Sequence, residues 1–356
     1  MARRCVIAGA GVAGLSAAES LRQLDSEVSI TIAGSEEPYS RMVLPYFMEG
    51  RIEERALFTG DDAWFREQEI ETRFGEALAR IDPVARTVRL AGGDSLDYDA
   101  LVLATGSGSV RAPIPGADSE GCIDLWNLED ARAFLAGPHR EVAIIGAGFI
   151  ASTILDAVVK RAERVHLLEI ESQILPRMVD AQGAALIEAH LRGGTVELHT
   201  GTEVKGIERT GARLNVSLSS GGGLEVDVVI FATGIRPNLS FLEGSGIETD
   251  AGILVDRQLR TNVGGVWAAG DVAQGPVLHH AERRVHAIQP TAVDHGRIAA
   301  ADIAGVEVGF EGSLLMNVVA IQGIEAASFG LWDEGERETT RVENAQGGVY
   351  RKYVWE

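Results

Sequence analysis

Cysteine is nearly missing from this chain: 356 residues carry two, Cys5 and Cys122, far apart and in no CxxC or CxxxxC arrangement. A disulfide framework is therefore unsupported, and a reducing compartment fits. Positive charge is also short, with 32 Lys and Arg against 52 Asp and Glu, a formal net charge of −20. A surface of that sign repels nucleic acid and anionic membranes, so general binders of either are disfavoured. No apolar run approaches membrane-spanning length, and Met-Ala-Arg-Arg leads straight into the apolar run Cys5-Val6-Ile7-Ala8 without a signal-peptide pattern. The expectation is a cytoplasmic protein. What the chain has in quantity is apolar side chains, 46% of residues, and 42 glycines. The first excludes disorder as the dominant state and suits two or three domains at this length. The glycines cluster after apolar runs, which suits tight strand-to-helix turns.

The glycine clusters expose an internal repetition. RCVIAGAGVAG (Arg4–Gly14) and EVAIIGAGFIA (Glu141–Ala151) each run an apolar strand into a glycine turn and the start of a helical pattern. Leu15, Ala18, Leu21 and Leu24 follow the first at helical spacing, and Val28–Ile32 reads as a strand. Ile154, Leu155, Val158 and Val159 follow the second, with a strand at Val165–Leu168. Both stretches are βαβ units, which require parallel sheets flanked by helices. A second echo comes later in each half, where YDALVLATG (Tyr98–Gly106) and VDVVIFATG (Val226–Gly234) end in Ala-Thr-Gly. The turn-rich stretch Arg111–Gly116 separates the halves, and VGGVWAAGD (Val263–Asp271) precedes a helical stretch from about Pro290 to Ala304.

The expected fold class is α/β: two Rossmann-like three-layer domains and a partial C-terminal α+β segment. The first domain takes residues 1–112 and 248–310, the second 113–247. Residues 311–356 form a C-terminal interface segment in which Leu314–Ile321 and Ala326–Leu331 read as strands. Val349–Trp355 reads as a further strand without a partner, so this segment is expected to be incomplete.

Each glycine turn has the chemistry of a dinucleotide site. Gly9 permits the tight turn, Gly11 lets the backbone approach a pyrophosphate, and Gly14 allows close helix packing. Val12 and Ala13 open the helix, whose N-terminal amides and positive partial charge suit phosphate. Glu36 falls past the second strand, where a carboxylate can bind ribose hydroxyls. A lone GxGxxG is weak, and its bland reading is a structural turn; the strand–turn–helix–strand–acid order is what favours a nucleotide. Gly146, Gly148 and Ala151 repeat the device, with Phe149 and Ile150 opening the helix. Glu169 ends the following strand and suits an adenosine 2′-hydroxyl while repelling a 2′-phosphate. Glu171 adds a second negative charge, so NADH is favoured over NADPH.

The ordered set GAGVAG, first ATG, GAGFIA with Glu169, ATGIRPN and AAGDVA resembles the FAD/NAD(P)-dependent pyridine nucleotide–disulfide oxidoreductase superfamily. The similarity covers nearly the whole chain and looks nearest to rubredoxin and ferredoxin reductases, NADH oxidases and the N-terminal part of nitrite reductase large subunits. By that resemblance the first domain takes FAD and the second NAD. Asp271, with Gly270, would bind the FAD ribitol or pyrophosphate; Ala104, Thr105, Gly106 and Arg111 would lie against FAD, and Gly234 near the nicotinamide dinucleotide. Arg41 stands where the family has an arginine contacting the flavin dinucleotide. A helix beginning near Pro290 and Thr291 would aim its N-terminus at the flavin N1–C2=O edge.

Two departures narrow the chemistry. Peroxidase, oxidase and coenzyme A disulfide reductase relatives place a redox cysteine before the Leu-Pro-Tyr stretch, and this chain has Met42 there, which can form no thiolate. The lysine–glutamate pair of ferredoxin reductase relatives corresponds to Tyr46 and Thr153, so both charges are absent together. The flavin carries the chemistry, and no side chain is singled out as catalytic. His279, His280 and His286 around Glu282 are read as a flavin-side loop or a solvated segment, and no metal is expected. No Gly-x-Ser-x-Gly nucleophile elbow occurs, and Gly221–Gly223 lacks the Lys-Ser/Thr of a phosphate loop and reads as a hairpin turn.

The resulting expectation is an FAD-dependent oxidoreductase that takes hydride from NADH and passes electrons to a rubredoxin- or ferredoxin-like protein or a metal-cluster partner subunit. Direct reduction of oxygen by an NADH oxidase is one alternative. A redox-regulated binding flavoprotein resembling apoptosis-inducing factor is another. Homodimerisation is left open.

Overall fold

A computed structural model describes residues 3–137, 139–330, 335, 337–344 and 348–355. The chain divides into two compact units, one of Met1–Met42, Glu54–Gly108 and Arg236–Leu314, the other of Val43–Glu53, Ser109–Ile235 and Leu315–Glu356. These differ from the expected division at five places. Residues 43–53, 109–112 and 315–356 fall in the second unit, and residues 236–247 and 311–314 fall in the first. Such membership is decided by long-range packing, which local sequence patterns do not encode.

The first unit is built on a five-stranded parallel sheet in the order Val266–Ala268, Ala100–Leu103, Arg4–Ala8, Ser29–Gly34, Ile70–Phe74. Its inner strands are buried on both faces, so Ala100–Leu103 is apolar throughout rather than alternating. Helix Val12–Leu24 buries Ala13, Gly14, Ala17, Ala18 and Leu21. It crosses helix Gln289–Ile303 at close range: a Cβ on Gly296 would stand 2.3 Å from the Ala13 carbonyl oxygen. A three-stranded antiparallel meander spans residues 78–97, and His280–Val285 pairs antiparallel with Ala273–Val277.

The second unit repeats the plan. Its parallel sheet runs Val196–His199, Ala162–Leu168, His139–Ile145, Val228–Phe231, Cys122–Ile123. Helix Phe149–Val159 follows the glycine turn. On one face Ala143, Ile145, Leu168 and Phe231 pack with Ile207, Leu214 and Val216 from an antiparallel sheet of Val204–Thr210, Arg213–Leu218 and Gly223–Val226. Gly221 and Gly222, at φ +91° and +78°, make the last turn of that sheet, as their sequence implies. Helix Leu128–Leu135 is opened by a capping box in which Asn127 Oδ1 accepts the Asp130 amide at 2.8 Å.

Among the described residues the C-terminal stretch holds strands and no helix. Met316–Ile321 pairs with Ile324–Phe329, and Val349–Val354 pairs with Thr339–Asn344. The last apolar strand therefore has a partner. That partner escaped notice because Thr-Thr-Arg-Val-Glu-Asn carries one apolar residue and reads as surface sequence. Leu331, the end of an expected strand, lies outside the described residues.

Candidate dinucleotide sites

In the first unit the three glycines divide their work as their spacing implies. Gly9 has φ +120°, and a Cβ there would stand 2.0 Å from the Ala104 carbonyl oxygen. At Gly14 a Cβ would meet the Gly9 carbonyl oxygen at 1.9 Å. Gly11 has nothing within 4 Å of that position, and it caps the helix in an extended conformation with no side-chain hydrogen bond. The backbone is thus exposed where a pyrophosphate would approach, and the first-turn amides, at Val12, Ala13 and Gly14, face a helix end without a capping side chain. The residues fit a dinucleotide.

Several expected residues of this unit meet around that turn or the neighbouring ones. Glu36 Oε2 accepts Arg41 Nη2 at 2.7 Å, and the Tyr39 hydroxyl lies 3.2 Å from Glu36 Oε1. The Ala104 amide donates to the Ala8 carbonyl at 2.7 Å, tying the first Ala-Thr-Gly to the first strand. Asn238, from ATGIRPN, then locks it: Asn238 Nδ2 donates to the Thr105 carbonyl at 2.8 Å, and its amide to the Gly106 carbonyl at 3.0 Å. Sequence reasoning missed Asn238, although its place in an Ala-Thr-Gly echo was a signal.

Gly270, at φ +74°, opens a single 3-10 turn through Val272 and packs on Ala13, where a Cβ would stand 2.9 Å from the alanine Cβ. Its amide donates to His295 Nδ1 at 3.3 Å. Asp271 accepts the Ser107 hydroxyl at 2.7 Å. Burial pushes the Asp271 carboxyl above its ordinary range, against the pull of Ser107, Arg41 and His286. Pro290 and Thr291 lie in the first turn of helix Gln289–Ile303, where proline at the first positions is favoured. Thr291 is buried, 3.4 Å from His286 Nδ1.

The second unit builds a parallel site with tighter fixation of its acid. Gly146 has φ +98°, and a Cβ there would stand 2.6 Å from the Ala232 carbonyl oxygen. Gly148 is an extended cap with nothing within 4 Å of a Cβ position, ahead of Phe149 and Ile150. Ala151 is fully buried. Glu169 is buried as well: its Oε2 accepts the Ala147 amide at 2.7 Å and its Oε1 the Glu171 amide at 3.0 Å. Charge-assisted bonds from two amides hold this carboxylate beside the glycine turn. Gly234, at φ +129°, accepts the Val110 amide through its carbonyl at 3.0 Å.

Arg111 belongs to this second unit. Its guanidinium is forked onto Asp124 at 2.9 and 3.1 Å, and donates to the carbonyls of Ala117 at 2.8 Å and Cys122 at 3.1 Å. Asp124 stands just past strand Cys122–Ile123, thirteen residues on, so no local pattern pointed to it. Tyr46 is exposed beneath the Arg51 guanidinium, and the Thr153 hydroxyl donates to the Ile150 carbonyl at 2.7 Å. A lysine–glutamate pair still joins the same two helical regions, because Lys160 Nζ lies 3.0 Å from Glu49 Oε2.

Met42 is exposed, and the cysteines are one to each unit, both buried. Burial pushes the Cys5 thiol up to about 12 and raises that of Cys122. Neither is a thiolate near neutral pH. The histidines at 279, 280 and 286 do not assemble with Glu282 into a ligand set among the described residues; Glu282 pairs with Arg284 at 2.7 Å. Among the described residues no helix is long and apolar enough to cross a membrane.

Two parallel sheets, each with a bare glycine-capped helix and an acid past its second strand, define a two-dinucleotide oxidoreductase. The chain belongs to the pyridine nucleotide-disulphide oxidoreductase family, whose model matches residues 3–296. Its members are FAD-dependent NAD(P)H oxidoreductases. It is 32% identical over 352 residues, 96% of this chain and 83% of the relative, to the NADH-dependent phenylglyoxylate dehydrogenase subunit epsilon of Aromatoleum evansii. It is 28% identical to the nitrite reductase [NAD(P)H] of Bacillus subtilis (strain 168), covering 99% of this chain and 44% of that protein. Among solved structures, the ferredoxin reductase for the CYP199A2 system from Rhodopseudomonas palustris matches with a TM-score of 0.91 at 26% identity, covering 99% of this chain and 88% of the other.

Proposed function

We propose that this chain is the NADH-accepting reductase of a larger electron-transfer system, with FAD in the first unit and NADH in the second. FAD, when bound, supplies the hydride acceptor and the route for electrons onward. The protein's own part is to bind and orient. Gly9, Gly11 and Gly14 admit the FAD pyrophosphate to the backbone, with Glu36 and Arg41 at the ribose end. Asp271, set by Ser107, and the helix beginning at Pro290 and Thr291 receive the flavin side. Gly146, Gly148 and Glu169 hold the NADH pyrophosphate and ribose, and Gly234 borders that nucleotide. Arg111 acts through its fork with Asp124 as a positioning residue. The observation that carries NADH over NADPH is the buried Glu169, whose two amide bonds leave a fixed negative charge where a 2′-phosphate would fall.

The acceptor is a redox protein or partner subunit. A relative 32% identical is itself named a subunit of an NADH-dependent dehydrogenase, which favours an associated subunit. The test is steady-state kinetics with ferricyanide, then with a ferredoxin and with proteins that co-purify with the chain. A kcat/KM ratio favouring NADH by at least about tenfold, and onward reduction of a protein acceptor in preference to oxygen, are expected. A preference for NADPH, or turnover with oxygen alone at the full rate, overturns the reading.

A further inference from the structure

The sheet of the second unit carries a cluster of side chains that nucleotide binding does not use. Parallel register sets His166 opposite Glu197 and Leu168 opposite His199. Because side chains alternate along a strand, His166, Glu197 and His199 share one face. His166 Nδ1 lies 3.2 Å from His199 Nε2. The Glu197 oxygens lie 3.7 Å from His166 Nδ1 and 3.6 Å from His199 Nε2.

We propose that His166, His199 and Glu197 form a zinc site on this sheet, with Glu141 as the group that orients His166. Four-coordinate zinc with Zn–N bonds of about 2.0–2.1 Å holds its ligands about 3.3 Å apart, along the edges of a tetrahedron. The nitrogen pair already has that spacing, all three ligand atoms lie within 4.8 Å of one another, and the exposed Glu197 side chain can rotate to close the remainder. A second, independent feature is Glu141, whose Oε2 lies 3.0 Å from His166 Nε2. The carboxylate keeps the proton on Nε2 and leaves the Nδ1 lone pair for a cation, the arrangement by which carboxylates orient metal-ligating histidines. His166 is buried at 5% exposure, so its ring is held in place.

Among the described residues Arg164 is the cation competing for these carboxylates, 4.0 Å from Glu141 and 3.9 Å from Glu197. Its side chain is 57% exposed and can turn to solvent. Glu197 and Arg164 also line an open cleft of about 590 Å³. Glu169 contributes no ligand, since its carboxylate is taken by the amides of Ala147 and Glu171. The bound ion would cross-link strand Ala162–Leu168 to strand Val196–His199, and through Glu141 to strand His139–Ile145. Zinc is the fitting class, since two imidazoles and a carboxylate suit a borderline cation without redox chemistry.

The purified flavin-containing chain is stripped with a chelator, dialysed against zinc chloride, and assayed for bound metal and for thermal midpoint. Wild type is expected to retain about one zinc per chain and to melt several degrees higher with it. His199→Gln and Glu197→Gln, both at positions with solvent exposure, should lose the zinc at least about tenfold in affinity, along with the thermal shift. His280→Gln, on the exposed strand of the first unit, should change neither. Circular dichroism confirms that each variant is folded. Equal zinc retention by folded wild type and His199→Gln, or loss of zinc in His280→Gln, refutes the site.

Discussion

The two glycine turns are built from one plan and differ in how little room each leaves. In the first unit an added Cβ would overlap backbone oxygens at Gly9 and Gly14 at 2.0 and 1.9 Å. In the second, the clash at Gly146 is milder at 2.6 Å, and the third position already holds Ala151. The acids differ in the opposite sense. Glu36 is half-buried and meets the flexible Arg41, whereas Glu169 is buried and held by two backbone amides. A turn packed against helix and strand is suited to a cofactor that stays, as FAD does in the reading above. A fixed acid beside a looser turn is suited to a nucleotide chosen afresh at each turnover. Discrimination then rests on the acid.

The largest effect that can break this comparison is steric. Gly14→Ala should abolish FAD retention or unfold the first unit, because an overlap of the Cβ with a backbone oxygen cannot be relieved by a side-chain rotation. Ala151→Gly, at the corresponding position, should cost only about 1 kcal/mol of stability, the helix penalty of glycine. Flavin content after gel filtration and denaturant melts compare them. If both variants keep FAD equally, the packing contrast has no consequence.

Next come the acids. Glu169→Gln keeps the size of the side chain and removes its charge. It should raise the KM for NADH by about tenfold, leave kcat nearly unchanged and narrow discrimination against NADPH. Glu36→Gln breaks an exposed ion pair with Arg41, and its cost in stability should stay below about 1 kcal/mol. Kinetics and melts of the two variants side by side decide whether Glu169 is the more important acid; a larger loss from Glu36→Gln would invert the comparison.

The ordering of these sites was legible in the sequence to an uneven degree. Glycine turns, strand-ending acids and the two Ala-Thr-Gly echoes are local patterns with fixed spacing, so Gly9–Gly14, Gly146–Ala151 and Glu169 could be placed before any coordinates. What stayed hidden depends on distant partners. Ser107 under Asp271, Asn238 under Thr105 and Asp124 around Arg111 are joined by the fold, across separations of 164, 133 and 13 residues. The same holds for His166 and His199, 33 residues apart and adjacent only through parallel pairing. The strand Thr339–Asn344 was missed because its apolar content is too low to mark a period.

A smaller, pH-dependent effect concerns the first unit alone. His295 accepts the Gly270 amide, and burial lowers its pKa from 6.5 to about 4, with a further push from His286. A depressed pKa means the folded state holds the ring neutral. The contribution is therefore present above pH 6.5 and lost as pH falls from there through 4, amounting to roughly 3 kcal/mol. Urea melts between pH 7 and pH 4 should show this slope in wild type and a flatter one in His295→Gln. Identical slopes would mean that His295 is not the group that titrates.

The central claim is that two nucleotide units and a flavin, without a thiol couple, make up the redox equipment of this chain. Anaerobic titration of the purified protein with NADH tests it directly. The account predicts bleaching of a yellow, non-covalent FAD complete at about one NADH, or two electrons, per FAD. Uptake of about four electrons, the signature of an additional disulfide couple, or a colourless protein that takes up no FAD, would contradict it.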